Sequence, residues 1–172
     1  MTEAMTPAEV LVDAFGRVRE TVHRVLDGID PQHLIYRPDP RANTVAWLVW
    51  HLLRVQDDHV ADAAGRDQVW LAEGWVDRFD LPFDRDATGY GQSAEDVRAV
   101  QVDTELLRDY CDAVHRRTVA FVSALGEEDL DQVVDDSWDP PVTLGVRLIS
   151  IVSDDLQHAG QAAYVRGVAE RA

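Results

Sequence analysis

Lysine is absent from this chain: all 16 of its basic residues are arginine. Cysteine occurs once, at Cys111, which excludes an internal disulfide and a cysteine-cluster metal site. The uninterrupted apolar runs fall far short of the ~20 residues that a membrane-spanning helix needs. The opening residues, MTEAMTPAEV, have neither a basic stretch nor an apolar core, so they are not read as a signal peptide, and a cytoplasmic location is expected. Positive charge is scarce overall. Against the 16 arginines stand 32 acidic residues, a formal net charge of -16. A surface this acidic repels phosphate backbones and anionic lipid, so neither nucleic acid nor a membrane is expected as a partner. Abundant Ala, Val, Asp and Arg without Lys reads as the coding bias of a GC-rich, actinobacterial type of genome.

What remains is ordinary globular material, 46% hydrophobic and 28% charged over 172 residues. That length suits one domain, residues 1–172, with a sizeable core. Four helical stretches are predicted. The first opens at Thr6-Pro7-Ala8-Glu9, a capping box with proline at the first helical position. Leu11, Phe15, Val18, Val22, Val25 and Ile29 then recur at spacings of three and four, the stripe of an amphipathic helix, until Asp30-Pro31 ends it. The second runs from Thr44 to about Ala64. The third is predicted from the cap Ser93 to Leu125, where Gly126 stops it, with Val97, Val100, Leu107, Cys111, Val114, Phe121 and Leu125 inward. The fourth follows Pro140-Pro141, with Thr143 as cap, from Leu144 to about Val165. Between the second and third, residues 65–92 are expected to form a short helix and a loop packed over one end. No strand alternation rises above the helical pattern, so the fold class is an all-α four-helix bundle with one long connection.

Polar residues on the apolar stripes carry the chemistry. Leu144, Ile151, Ala162 and Val165 mark the fourth helix's inner face, and Asp154 and His158 project within roughly 60° of its centre at about 100° per residue. A carboxylate there costs several kcal/mol unless it is paired or binds a metal. Residues four apart lie roughly 6 Å along one helical face and can converge on one ion. On the second helix His51 falls at the edge of the inward side marked by Thr44, Leu48, Val55 and His59. From spacing alone, a structural histidine and a simple Asp–His hydrogen bond stay open beside metal binding. Asp58, seven residues after His51 on its side of the helix, is a candidate to orient a ligand or accept a proton, or else an ordinary surface acid. His59 is a further candidate helper or else a core-edge histidine, while Arg147 and Arg166 are candidates to meet an anionic substrate or cofactor, or else solvated helix-end charges. Cys111, on an apolar stripe, is expected to be an inert core thiol. Trp47, Trp50, Trp70 and Trp75 are expected in the core, with a pocket wall as the alternative.

Two blocks carry a family resemblance. Asn43 to His51 (NTVAWLVWH) resembles the second-helix signature of the DinB-like superfamily. Leu144 to Leu148 (LGVRL) with Asp154 to Gly167 (DDLQHAGQAAYVRG) resembles its fourth-helix signature. Their order and separation match as well, and the likeness is nearest to the branch of mycothiol S-transferases and mycothiol-dependent maleylpyruvate isomerases. The resemblance implies a DinB-like four-helix bundle holding a divalent metal, zinc or alternatively nickel, on His51, Asp154 and His158. Many members have His, and the isomerase-like ones Glu, where this chain has Asp154. It further implies a metal-dependent S-transferase that joins a low-molecular-weight thiol, mycothiol as co-substrate, to electrophiles in detoxification. The alternatives are a thiol-dependent cis–trans isomerase of the maleylpyruvate type and a non-catalytic, metal-binding stress-response protein. Partners are then the small thiol and the electrophile, with a homodimer through the helices kept open.

Overall fold

Four long helices surround the core of the computed structural model, which describes residues 5–172. They are α1 (Pro7–Leu26), α3 (Val45–Ala63), α7 (Thr104–Val122) and α8 (Leu144–Ala169). Short helices fill the connections: α2 (Pro31–Leu34), α4 (Val69–Ala72), α5 (Trp75–Phe79) and α6 (Ala94–Ala99). The architecture is the expected all-α four-helix bundle with one long connection. α3 packs most extensively on α8 and also on α7, while α1 packs on α7 and α8. The long helices therefore run α1, α7, α3, α8 around the bundle, and α1 and α3 face each other across it. Among the described residues no helix is long and apolar enough to cross a membrane.

Local chemistry sets the helix starts. Thr6 and Glu9 form the capping box reciprocally, and Thr44 accepts from the Trp47 amide at 3.0 Å, satisfying donors that the first turn leaves free. α1 buries Leu11, Phe15, Val18, Val22 and Val25 as the stripe requires. α3 differs: residues 45–53 are all buried, so its first half is apolar on every side and occupies the middle of the protein.

Departures from the sequence reading are local. The predicted third helix is broken. Ser93 caps the short α6, Val100 leaves helical geometry (ψ 86°), and Asp103 starts α7 afresh by accepting from the Leu106 amide at 2.7 Å. A side chain that caps competes with continuing the helix, and the break still lets Val97, Val100 and Leu107 all reach the core. α7 ends at Val122 rather than Leu125, α1 ends at Leu26, and α8 runs on to Ala169. The 65–92 connection holds two short helices instead of one. A two-stranded antiparallel hairpin, β1 (Val133–Asp135) with β2 (Val142–Thr143), precedes α8; its strands are too short for alternation to register in sequence.

The connection is fastened by charge. Asp57 of α3 accepts from the amides of Val69 and Trp70, each at 2.8 Å, and from the Tyr110 hydroxyl at 2.9 Å. It thereby caps α4, whose own N-cap residue Gln68 makes no side-chain capping bond. Trp70, Phe79 and Tyr110 pack ring to ring beneath it.

Candidate metal centre

Because α3 is buried all round, it carries His51 inward, leaving it 8% exposed. Trp47, one turn earlier, stacks on one face of the imidazole with centroids 4.6 Å apart. The His51 Nδ1 lies 2.5 Å from the carbonyl oxygen of Thr88. A carbonyl only accepts, so Nδ1 carries the hydrogen and Nε2 keeps its lone pair. His158 on α8 repeats the arrangement, its Nδ1 lying 2.9 Å from Gln161 Oε1. The two imidazoles meet edge to face, 4.9 Å between centroids.

Asp154 completes the group. Its Oδ1 lies 3.7 Å from His158 Nε2, and its Oδ2 is buried without a hydrogen-bond partner. One ligand atom from each of His51, Asp154 and His158 lies within 4.8 Å of the others, so the three predicted residues are brought together. Burial lowers the His51 pKa, with the Thr88 carbonyl opposing that shift and the nearby His158 adding to it. His51 is therefore held in the neutral form that metals bind. A carboxylate with one buried oxygen lacking a donor, grouped with two imidazoles whose Nδ1 atoms are already bonded, fits a divalent cation of zinc or nickel chemistry.

The carboxylate's burial differs from expectation. Asp154 is 43% exposed, at the rim, whereas the next residue, Asp155, is wholly enclosed with both oxygens unpartnered. Leu148, Val152, Asp155 and Ala159 all face the core. A stripe drawn without Leu148, Val152 and Ala159 placed its centre too close to Asp154. Burial, followed by the charge of Asp154, pushes the Asp155 carboxyl well above the ordinary carboxylate range.

From the triad a cleft of about 550 Å³ runs along the α3–α8 groove, past Val55, Asp58, His59 and Ile151 to Arg147, with Tyr90 at its edge. Asp58 thus lines the same cleft as His51, and its Oδ1 accepts from Gln68 Nε2 at 2.6 Å. Arg147 stands in the wall, 3.4 Å from His59 Nδ1, with Asp62 and Asp135 at 3.3 and 3.4 Å. Arg166 lies elsewhere: its Nη1 donates to the carbonyls of Arg24, Val25 and Asp27 at the end of α1. Trp50, Trp70 and Trp75 are core residues, and so is Cys111.

A second group, His23, Cys111 and Asp112, is equally close-set. There the carboxylate is already engaged, by Arg19 Nε at 2.6 Å and His23 Nε2 at 2.8 Å, and burial pushes the Cys111 thiol far up. This cluster clamps α1 to α7. Thr88 and Gln161 join the site without being singled out by the sequence. Gln161 was findable, three residues beyond His158 on the same helix; a main-chain carbonyl such as that of Thr88 leaves no mark in sequence.

A helical bundle whose adjacent helices bring two histidines and a carboxylate to one point is of the DinB-like class. Within that class, the family model described as Mycothiol-S-transferase matches residues 10–170, and the chain belongs to that family. A crystal structure of a conserved protein from Enterococcus faecalis is similar, at 30% identity and a TM-score of 0.88. That match covers 95% of this chain and 96% of the other. No curated protein matches.

Proposed function

We propose that the protein is a metal-dependent S-transferase that joins a low-molecular-weight thiol, mycothiol, to small electrophiles in detoxification. The observation that carries this is the convergence of His51, Asp154 and His158 at the head of a cleft, with both Nδ1 atoms already bonded and Oδ2 of Asp154 unpartnered. These residues would hold zinc or nickel. Held by two imidazoles and one carboxylate, a divalent ion would supply residual positive charge that lowers the pKa of a thiol brought there.

The chain's own residues account for the rest. No thiol side chain lines the cleft among the described residues, because the one cysteine, Cys111, is buried in the core. The attacking sulfur must therefore come from the co-substrate. Its proton passes to Asp58, held in place by Gln68, or to water. The sulfur lone pair forms the C–S bond, and the electrophile's leaving group or π-system takes the displaced electron pair. Val55 and Ile151 give the cleft an apolar side that keeps water from the electrophile, while Ser150, His59 and Arg147 offer hydrogen bonds to a hydroxyl-rich thiol. Family membership supports the thiol and the reaction class.

The test is thiol transfer to one fluorogenic electrophile by metal-loaded protein, comparing mycothiol, bacillithiol and glutathione. Turnover with mycothiol, falling to background in Asp154→Ala and His158→Ala, is the expected result. Stoichiometric bound metal with no turnover on any of the three thiols would overturn the transferase reading.

A further inference from the structure

Arg54 is wholly enclosed in α3, less than one turn beyond His51, and its donors are directed unusually. Its Nε donates to the carbonyl of Ala87 at 3.0 Å, and its Nη2 to the carbonyl of Asp86 at 3.3 Å and to Gln68 Oε1 at 2.9 Å. Its Nη1 reaches the Tyr110 hydroxyl at 3.4 Å and lies 3.6 Å from Asp57 Oδ2. The guanidinium also lies over the Trp70 ring, 4.7 Å from its centroid. A buried cation is tolerated only when it is paired and hydrogen-bonded, so this one ties two successive carbonyls of the connection firmly to the core. The next carbonyl along, that of Thr88, is the one that receives His51 Nδ1–H.

The residue after that is Gly89, at φ +99°. A Cβ added there would lie 2.6 Å from His51 Nδ1 and 3.1 Å from a ring carbon of Trp50. The strap of residues 86–89 therefore reaches the imidazole edge only because position 89 has no side chain. With Trp47 against one face and the strap against the Nδ1 edge, Nε2 is the nitrogen left free.

We infer that Arg54 and Gly89 are positioning residues: through the Thr88 carbonyl they fix the His51 ring and its Nδ1–H tautomer, and so present Nε2 to the cation. The inference rests on the metal reading of the triad, and its consequences extend to the metal-free protein. Outer partners of this kind govern metal affinity by about 10- to 100-fold. Gly91 provides a matched control. It has the same left-handed backbone (φ +73°), so alanine there brings similar strain, but a Cβ at 91 would meet nothing within 4 Å.

Two measurements separate the strap from the metal site. The first is Co²⁺ affinity and its visible ligand-field spectrum in wild type, Gly89→Ala and Gly91→Ala. Gly89→Ala should weaken Co²⁺ by at least about tenfold and alter the spectrum, while Gly91→Ala keeps both, even if the two lose similar thermal stability. Arg54→Lys retains the charge but not the fork to both carbonyls, and should move in the same direction; if it fails to fold, Gly89→Ala carries the test. The second is the ¹⁵N shifts of the His51 ring without metal, which should show the Nδ1–H tautomer in wild type and a mixture in Gly89→Ala. Unchanged Co²⁺ binding in Gly89→Ala, or an Nε2–H tautomer in wild type, would overturn the inference. The expected tautomers without any Co²⁺ binding would leave the strap standing and overturn the metal reading instead.

Discussion

Replacing Asp57 by alanine removes the acceptor on which the long connection depends. The side chain is 4% exposed and accepts two main-chain amides and one phenol within 2.9 Å, with the Arg54 guanidinium 3.6 Å away. Alanine would leave two buried amides without a partner and a buried cation without its counter-ion. Hydrogen bonds to a charged group contribute about 1.5–3 kcal/mol each, and they do not simply add. Breaking one member of a buried ion pair costs about 3–5 kcal/mol. Asp57→Ala should therefore lose at least ~3 kcal/mol, a large fraction of the ~5–15 kcal/mol that folded domains of this kind possess. Urea unfolding followed by far-ultraviolet circular dichroism measures it. Tyr110→Phe, which removes only the hydroxyl, should cost about 1 kcal/mol alone and less in the Asp57→Ala background, because the acceptor of its hydroxyl has gone and only the longer bond from Arg54 Nη1 remains. A loss below about 1 kcal/mol for Asp57→Ala, or strict additivity with Tyr110→Phe, would refute the argument that this carboxylate organises the connection.

Asp155 offers a pH test in protein stripped of metal. Its folded-state pKa is raised, first by burial and then by Asp154. Above the unfolded-state pKa the native state thus binds the extra proton, and stability falls as pH rises, by up to about 1.4 kcal/mol per pH unit, until the folded group ionises. Asp155→Asn should lack this slope, so its advantage over wild type in denaturant melts should widen from pH 5 towards 8; parallel profiles would show that Asp155 does not hold its proton. Cys111 should react with an aromatic disulfide reagent in native protein orders of magnitude more slowly than in urea, given a thiol that is enclosed and pushed far up by burial. Fast labelling without unfolding would contradict the packing of α7 against α1.

Helix identity was legible wherever a cap and a stripe agreed, as at Thr6 with the Leu11–Val25 series, at Thr44 and at Thr143. It failed where two signals competed. The apolar series through Val100 and Leu107 continues across a point where Asp103 caps a new helix, and periodicity takes no account of a main-chain kink that preserves its inward residues. The triad could be named because His51, Asp154 and His158 lie in two recognisable blocks. What holds them could not, because Thr88 acts through its main chain and Gly89 through a missing atom. The one-residue error between Asp154 and Asp155 has a different origin. α8 is buried along one side and open along another, and the centre of its buried side is set by Leu148, Val152 and Ala159 as well as by Leu144, Ile151, Ala162 and Val165.

Trp47 lies flat on His51 at 4.6 Å, and this gives the protein an optical gauge of its own. An indole stacked on an imidazole loses excited-state energy to the ring when the ring is protonated, and to a paramagnetic ion that the ring binds. Binding of a paramagnetic ion such as Ni²⁺ or Co²⁺ at the triad would therefore be read in the emission of Trp47, a tryptophan that the fold already supplies, without any attached label.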